Sequence, residues 1–466
     1  MNEKLVLAIL VLGTMMGAID STIVLLALPA ITQELSANLA VTIWTIIIYL
    51  LVIAVAITQF GRLGDIYGRS KMFNAGFAIF TIGSFLCGFS SSAIILVGFR
   101  VIQAIGGAFM QANSGAIIAD NFEVGRRGKA YGFLALGWNI GAMLGIILGG
   151  AITTFIGWRY IFFINVPIGI VATFLGIRYL ADKVKFHTDL DLPGMLLLGV
   201  ALFSFAYGAV DFAGSGTSMF NSAMIAVGLL LTVLFFIWEG KAKNPMLPLS
   251  EFKNKVLTAS ILAALFQAIG FLAITFIIIM YLQGVRGLDP FSAALLFVPG
   301  YVISSVLAPY FGRLSDKYGA RVIATVGIAI TCAAVLVYLT LTDSSAYYII
   351  IIASVLSGIG GSMFWPANNN EIMSEADAKH YGAISGVMRL TSNIGALLSY
   401  VIILTAASAS VSRQVAFEVF VGTSKLIGGV SQSFLTGIHS ALYASVALLA
   451  IAGILSLVRG RGKISG

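Results

Sequence analysis

Long apolar runs separated by short polar stretches make up most of this 466-residue chain. A helix that crosses the hydrocarbon core of a bilayer needs about 20 mostly apolar residues, and fourteen runs of about that length are present. The runs are continuously apolar rather than alternating, which excludes a membrane-spanning β-barrel. The pattern predicts an all-α integral membrane protein with spans 1 to 14 near residues 5–28, 41–60, 72–91, 93–118, 130–155, 160–180, 191–211, 219–238, 257–283, 289–311, 321–342, 346–368, 379–406 and 437–458.

The composition favours the same class of protein. Hydrophobic residues make up 59% of the chain and charged residues only 10%, whereas charged residues make up roughly 25% of an ordinary soluble domain. A soluble core could not bury so much apolar surface, so the lipid bilayer is the expected partner of most side chains.

The basic residues indicate how the chain is oriented in the membrane. If the N-terminus is cytoplasmic, 21 of the 27 Lys and Arg residues fall in inner connections and tails, and 4 fall in outer ones. This bias is typical of the positive-inside rule. It predicts a cell-membrane protein with both termini in the cytoplasm, and it accounts for the net charge of +8 without a nucleic-acid partner. The outer stretch 407–436 is expected to lie along the membrane surface.

An internal repeat divides the chain. Residues 61–69 read Gly-Arg-Leu-Gly-Asp-Ile-Tyr-Gly-Arg, and residues 312–320 read Gly-Arg-Leu-Ser-Asp-Lys-Tyr-Gly-Ala, with six of nine positions identical at an offset of 251 residues. The repeat predicts two parallel six-helix halves, 1–185 and 246–466, with two additional central membrane helices inserted over 186–245.

Further motifs occur in a fixed order along the chain. They are Asp20-Ser21-Thr22 with Ala27-Leu28-Pro29 in span 1, Trp44 and Tyr49 in span 2, Arg100-x-x-Gln103-x-x-Gly106 in span 4, Trp158-Arg159-Tyr160 and Asn165-x-Pro167 near span 6, and Pro245-x-x-Pro248 before span 9. Together with the 61–69 loop, this set resembles the fourteen-span drug:proton antiporters of the major facilitator superfamily. The resemblance implies the major facilitator fold, with a substrate site between the halves near mid-bilayer.

The resemblance also implies a function, which is proton-coupled export of small compounds by alternating access. Protons would be the coupling ion, no other cofactor is expected, and the protein would act as a monomer. A transporter of an anionic or neutral metabolite, bound through Arg100 and Arg389, is the second hypothesis, and a receptor or channel is the alternative outside transport. An enzyme is not expected, since the sequence has no Gly-x-x-x-x-Gly-Lys-Ser/Thr phosphate loop and its three His residues lack metal-ligand spacing.

Asp20 is the only acidic residue well inside a predicted span. Ionisable groups at membrane depth are costly and are retained mainly for function. At 1.5 Å per residue, Asp20 lies ~12 Å below the outer end of span 1 and Arg100 ~10 Å below that of span 4, so the two can share a level. Arg100 would hold Asp20 ionised, whereas a dry closed state favours a bound proton. We therefore expect this pair to couple transport to protons; the alternative is a static ion pair that fixes helix positions.

A polar stripe on span 4 indicates an inner cavity. Arg100, Gln103, Gly107, Gln111 and Ser114 lie within about 80° of one helix face, which lipid would not tolerate. Other polar or aromatic residues are candidates for the same cavity, with contact between helices as the equal alternative. They are Trp44, Tyr49, Trp138, Asn139, Gln267, Trp365, Asn368 and Arg389. Aromatic walls and one carboxylate suit a lipophilic cation as substrate.

The 61–69 loop is expected, by resemblance, to latch the halves in the outward-open state, with Arg69 meeting the acid that ends span 4, Asp120. The latch residues would be Gly61, Asp65, Gly68, Arg69 and Asp120, with Gly312, Asp316 and Gly319 in the second copy. The second latch should be weaker, because Ala320 stands where the first copy has arginine. The simpler interpretation is a solvated surface pair worth under ~1 kcal/mol.

Four glycines at spacing four line one face of span 5, namely Gly137, Gly141, Gly145 and Gly149. The missing side chains let another helix approach closely. A packing seam is the simple interpretation, and the resemblance favours a seam between the halves that slides during transport. Ile146 follows Gly145 where the antiporters usually have proline, so the resemblance does not extend to a proline kink.

Overall fold

The computed structural model describes residues 3–182, 189–247, 249, 251–375, 381–409 and 430–460. In these ranges the helices are α1 (Glu3–Glu34), α2 (Leu39–Thr42), α3 (Trp44–Tyr67), α4 (Arg69–Gly88), α5 (Ala93–Asn121), α6 (Val124–Phe155), α7 (Tyr160–Phe163), α8 (Asn165–Tyr179), α9 (Leu192–Ser215), α10 (Met219–Glu239), α11 (Lys255–Phe271), α12 (Ile274–Met280), α13 (Pro290–Leu295), α14 (Val298–Tyr318), α15 (Ala320–Tyr338), α16 (Tyr347–Glu375), α17 (Tyr381–Ala409) and α18 (Val430–Val458). A short 3₁₀ helix (Glu251–Lys253) precedes α11, and a π-helix (Tyr281–Val285) follows α12. These described residues contain no strand.

The described helices include 14 segments that are long and apolar enough to cross a membrane. Each overlaps one predicted span, which confirms the all-α fold with fourteen membrane helices. The main differences lie at helix ends, as in the first helix, which continues through Pro29 to Glu34 instead of ending near residue 28. Polar residues mark where a helix leaves the apolar layer rather than where its hydrogen bonds stop. The predicted surface segment at 407–436 falls mostly outside the described residues.

Two compact units make up the chain. Unit 1 comprises Met1–Leu202 and Leu230–Met246, and unit 2 comprises Phe203–Leu229 and Leu247–Gly466. The division passes through the inserted helices α9 and α10, and the predicted domains 1–185, 186–245 and 246–466 remain a prediction.

The packing order inside unit 2 repeats that of unit 1. In unit 1, α5 packs against α3 and α4, α1 packs against α6, and α8 packs against α4. In unit 2, α16 packs against α14 and α15, α11 packs against α17, and α18 packs against α15. Helix α16 therefore holds the place in unit 2 that α5 holds in unit 1, as the internal repeat predicts.

Glycines end the same helix in both copies of the repeat. Gly68 separates α3 from α4 at φ +115°, and Gly319 separates α14 from α15 at φ +87°. Each donates its N–H to the helix that it ends, to Gly64 O at 2.8 Å and to Ser315 O at 2.9 Å. Side chains other than glycine rarely adopt these φ values, so the repeated glycine fixes the turn between two membrane helices.

Candidate functional site

Asp20 and Arg100 form a buried ion pair inside unit 1. Arg100 Nη1 lies 2.6 Å from Asp20 Oδ2, and the two side chains are 1% and 0% exposed respectively. Asp20 lies on α1 and Arg100 lies on α5, at the same height along the two helices. Taking both charges out of water is expensive, and such a pair is stable only if its remaining donors and acceptors are also satisfied.

The side chain of Gln103, one turn after Arg100, forms hydrogen bonds with both members of the ion pair. Its Nε2 donates to Asp20 Oδ1 at 2.8 Å and to Ser84 Oγ at 2.6 Å, and its Oε1 accepts from Arg100 Nη1 at 2.5 Å. Arg100 Nε donates to Thr45 O at 2.9 Å. Both carboxylate oxygens of Asp20 therefore accept a hydrogen bond. Gln103 was predicted to contact substrate, and in this structure it is fully buried and engaged by the ion pair instead.

Tyr49 covers the guanidinium of Arg100. The Arg100 Cζ atom lies 4.2 Å from the centroid of the Tyr49 ring, a distance at which the ring face attracts a cation. Tyr49 is 2% exposed. A Cβ atom at Gly107 would lie 3.0 Å from the Tyr49 hydroxyl, so this glycine leaves room for the ring. The predicted substrate contact at Tyr49 is thus part of the wall around the ion pair.

Ser84 is a member of this cluster that sequence analysis missed. It lies on α4 and is fully buried, and its hydroxyl in the middle of an apolar span was the only signal. A Cβ atom at the neighbouring Gly83 would lie 2.5 Å from the backbone nitrogen of Gln103. The glycine therefore lets α4 approach α5 closely enough for Ser84 to reach Gln103.

The glycine face of α6 packs against α1 within unit 1. A Cβ atom on any of the four glycines would come within 2.1–2.9 Å of an α1 atom. These glycines are Gly137, Gly141, Gly145 and Gly149. Thr22 Oγ1 also donates to Ala142 O at 3.1 Å across this contact. The glycine face therefore packs against α1 of its own unit, and a seam between the halves that slides during transport stays a prediction. Helix α6 runs without interruption past Ile146.

This seam supports the ion pair, because α1 carries Asp20. Absent side chains let the α1 and α6 backbones lie close together, and the helix–helix contact fixes the height and rotation of α1. The spacing of the glycines predicted a close approach, but spacing alone could not say which helix approaches.

Arg69 bridges two carboxylates where α3 meets α4. Its Nη2 lies 2.7 Å from Asp65 Oδ1, and its Nη1 lies 2.7 Å from Asp120 Oδ1 at the end of α5. The three side chains are only 16–28% exposed, so this is a half-buried network rather than a solvated surface pair. The arrangement pairs the residues expected of a latch, and the latch role itself remains a prediction. A Cβ atom at Gly61 would make only an ordinary 4.0 Å contact with Ala112 of α5.

Asp182 completes this loop and was also missed. Its Oδ1 accepts the N–H of Ser70 at 2.7 Å, which satisfies a donor in the first turn of α4. A Cβ atom at Gly68 would lie 2.1 Å from Asp182 Oδ2, so glycine is needed at position 68 for space as well as for its φ. Asp182 lies in a polar connection without a surrounding motif, so no sequence pattern pointed to it.

The second copy of the loop has no cation at the position of Arg69. Ala320 is 5% exposed and belongs to a hydrophobic cluster of unit 2. A Cβ atom at Gly312 would lie 3.7 Å from Pro366 of α16, which shows that this part of α14 approaches α16. The side chain of Asp316 lies outside the part of the chain that the structure describes.

The other predicted substrate contacts differ in their surroundings. In unit 1, Trp44 and Asn139 are partly buried and Trp138 is 40% exposed. In unit 2, Trp365 packs against the hydrophobic cluster, and Arg389 is partly buried on α17.

Gln267 and Asn368, both in unit 2, are buried in different ways. Gln267 is 1% exposed, and its two amide atoms have no hydrogen-bond partner among the described residues. Asn368 is fully buried; its Nδ2 donates to Ser260 O and its Oδ1 accepts from Arg459. The amide of Asn368 is therefore bonded to protein partners, and its role as a cavity residue stays a prediction.

Known proteins resemble this chain in sequence and in fold. Residues 10–400 match the family model described as the Major Facilitator Superfamily. A "Riboflavin transporter RibZ" of Clostridioides difficile is 31% identical over 385 residues, which cover 82% of this chain and 83% of that protein. A "Tetracenomycin C resistance and export protein" of Streptomyces glaucescens is 31% identical over 389 residues, 83% of this chain and 72% of that protein.

Two further comparisons extend this finding. The "Multidrug efflux pump LfrA" of Mycolicibacterium smegmatis is 28% identical over 394 residues, 84% of this chain and 78% of that protein. Among solved structures, a bacterial homologue of the human lysosomal transporter Spinster, described as inward-facing and unoccupied, has a TM-score of 0.68 at 19% identity, over 97% of this chain and 96% of that chain. At that identity the likeness shows the fold alone.

Proposed function

The chain belongs to the Major Facilitator Superfamily of membrane transporters, and we propose that it exports small lipophilic compounds in exchange for protons, as a member of the fourteen-span drug:proton antiporters. Support for export comes from the relatives named for tetracenomycin C export and for multidrug efflux. The proposed transporter acts as a monomer in the cell membrane, with both termini in the cytoplasm and protons as its only coupling ion.

The buried Asp20 cluster carries the proposal. Arg100 and Gln103 also bind partners besides Asp20: Arg100 donates to Thr45 O and to Gln103 Oε1, and Gln103 Nε2 donates to Ser84 Oγ. These bonds use other N–H groups than the two that Asp20 accepts, so they hold both side chains in place when Asp20 binds a proton, and the protonated carboxyl still accepts through its carbonyl oxygen. The same hydrogen bonds would also stabilise a static ion pair, and the transport experiment below distinguishes the two roles. In the proposed transport cycle, Asp20 exchanges a proton while Arg100 stays in place.

The proposed substrate is a lipophilic cation, which a carboxylate and aromatic side chains attract. A metabolite transporter is the second candidate, and it is favoured by the 31% identity to a protein named as a riboflavin transporter. In that case Arg100 and Arg389 would face an anionic or neutral substrate instead.

Uphill transport in proteoliposomes tests the role of Asp20. With an imposed pH gradient, the wild-type protein should accumulate ethidium, an aromatic cation, against its concentration gradient. Asp20→Asn should retain only downhill exchange of ethidium, because the variant has no carboxyl to protonate. Asp343→Asn is the matched control, since Asp343 is exposed and lies between membrane helices. Uphill transport by Asp20→Asn at near the wild-type rate would show that Asp20 does not couple transport to protons.

Binding titrations between pH 6 and pH 8 test the substrate class separately. If a cation and a proton compete for Asp20, the affinity for ethidium should weaken as pH falls. If only riboflavin or an aromatic carboxylate such as salicylate binds, and Arg100→Gln abolishes that binding, the substrate is not a cation. That outcome would leave the role of Asp20 in proton coupling open to the transport test.

A further inference from the structure

A second buried charge lies in unit 2, at the residue that follows α18. Arg459 is 3% exposed. Its Nη1 donates to Asn368 Oδ1 at 2.7 Å and to Ser260 Oγ at 3.3 Å. Asn368 Nδ2 in turn donates to Ser260 O at 3.0 Å. Arg459 therefore ties the end of α18 to α11 and α16.

This arginine is only partly satisfied. Its Nε and Nη2 atoms are buried and have no hydrogen-bond partner within the described ranges, and the same is true of Oε1 of Glu371. Glu371 is 6% exposed and lies three residues after Asn368 on α16. Burial lowers the pKa of the Arg459 guanidinium, the charge of Glu371 acts against this shift, and Arg321 adds to it. Arginine nevertheless stays charged in proteins, so Arg459 remains a cation with two nitrogen atoms that have no acceptor among the described residues.

Asn368 and Glu371 lie within reach of the same arginine side chain. Residues three apart on a helix are surface neighbours, about 5–6 Å between their Cβ atoms. A change of side-chain rotamer would be needed to move the Arg459 guanidinium from the amide to the carboxylate. In the arrangement described, the Asn368 amide is bonded to Arg459, and Glu371 Oε1 has no partner among the described residues. In the alternative arrangement, Glu371 would pair with Arg459 and Asn368 would lose that hydrogen bond.

The comparison with unit 1 gives this exchange a role. In unit 1, Arg69 bridges the repeat loop to Asp120 near the end of α5. In unit 2, Ala320 stands at the position of Arg69. Arg459 approaches α16 from α18 instead, near the acid Glu371. In unit 2, a cation at the end of α18 therefore lies near the acid of α16.

We propose that Arg459 is the mobile cation of a second latch, which binds Asn368 and Ser260 in the conformation described here and Glu371 in another conformation of the transport cycle. The proposal rests on the alternating-access part of the proposed function, and it is independent of proton coupling and of substrate class. Each arrangement of Arg459 leaves some buried polar atoms without a partner, so neither is strongly favoured. Small changes elsewhere in the protein can therefore shift the balance between the two arrangements.

Distances between two spin labels on the full-length protein in nanodiscs test this latch. Labels are placed at Lys71→Cys on α4 and Val322→Cys on α15, in a background of Cys87→Ala and Cys332→Ala. Both label positions are exposed, and they are equivalent in the two copies of the repeat. Distance distributions are recorded by pulsed EPR without substrate or pH gradient, for Glu371→Gln, for Arg459→Gln and for the double variant. Glu375→Gln is the matched control, because Glu375 lies on the same helix and accepts from Asn254 instead.

Glu371→Gln removes only the second arrangement, so a latch predicts that it changes the ratio of the distance populations by about tenfold. Arg459→Gln removes both arrangements, so the addition of Glu371→Gln to Arg459→Gln should cause no further change, and Glu375→Gln should leave the distribution unchanged. If Arg459→Gln alone changes the distribution, Arg459 is a static anchor for Asn368, and the latch is refuted. If Arg459→Gln does not fold, the comparison of Glu371→Gln with Glu375→Gln decides, and equal distributions overturn the proposal. Failure of proton coupling in Asp20→Asn would leave every one of these outcomes unchanged.

Discussion

Replacement of Arg100 by glutamine should destabilise the protein by an amount that depends on pH. In the wild-type protein the Arg100 guanidinium lies 2.6 Å from the Asp20 carboxylate, and both side chains are buried. The variant leaves the carboxylate without its cation. Removing one partner of a buried ion pair costs about 3–5 kcal/mol, because the remaining charge is neither paired nor hydrated.

The cost has an upper limit, since Asp20 can bind a proton instead of remaining charged. An unperturbed aspartate titrates near pH 3.9, and each pH unit is worth about 1.4 kcal/mol, so neutralising it costs about 4 kcal/mol at pH 7 and about 1.5 kcal/mol at pH 5. Above pH 3.9 the unfolded variant releases this proton while the folded variant keeps it. The unfolded state then binds fewer protons than the folded state, so the stability of the variant falls as pH rises.

Apparent melting temperatures in detergent, followed by tryptophan fluorescence at pH 5, 6 and 7, measure this effect. The difference between wild type and Arg100→Gln should widen toward pH 7. The matched control compares Asp20→Asn with the double variant Asp20→Asn/Arg100→Gln, because both lack the titrating group and the difference between them should not vary with pH. The double variant Asp20→Asn/Arg100→Gln should recover most of the stability at every pH. An Arg100→Gln difference that is equal at pH 5 and pH 7 would refute the reasoning.

Three further predictions concern the elements around the ion pair. Gly145→Ala should lower stability by about 1–3 kcal/mol, because its Cβ would lie 2.1 Å from an α1 hydroxyl, whereas Gly132→Ala on the same helix faces open space and should be neutral or stabilising; equal melting temperatures would contradict the seam. Asp182→Ala should cost about 1 kcal/mol through the lost cap and speed amide exchange in the first turn of α4; unchanged exchange there would count against the cap. Arg69→Ala should slow turnover with little change in substrate affinity, while the exposed Arg313→Ala should not; a normal rate in Arg69→Ala would remove the latch role.

Membrane helices and the Asp20–Arg100 pair were predictable from the sequence for simple physical reasons. Lipid demands runs of about 20 apolar residues, and these runs are visible without knowledge of tertiary packing. Within them a lone carboxylate needs a cation, and the fixed rise of a helix puts Arg100 at the level of Asp20. Few alternatives compete, because charged residues are rare at this depth.

The roles of individual polar residues were harder to predict, because they depend on which helix packs against each helix face. The periodicity of the sequence does not contain that information. Gln103 shares the polar face of α5 with Arg100, and the sequence could not tell whether that face meets a cavity or the neighbouring Asp20 and Ser84. Asn368 presents the same ambiguity, and its partner Arg459 lies 91 residues away. Asp182 acts through a backbone N–H of another helix, a contact that carries no sequence motif.

The measurement that tests proton coupling most directly is proton release on substrate binding. Purified protein in weakly buffered detergent is mixed with ethidium, and a pH-indicator dye reports the proton that Asp20 gives up as the cation binds. We predict release by the wild-type protein and by Asp343→Asn, and none by Asp20→Asn. Ethidium binding without proton release, or equal release from Asp20→Asn, would contradict the proposal that Asp20 exchanges a proton for the substrate.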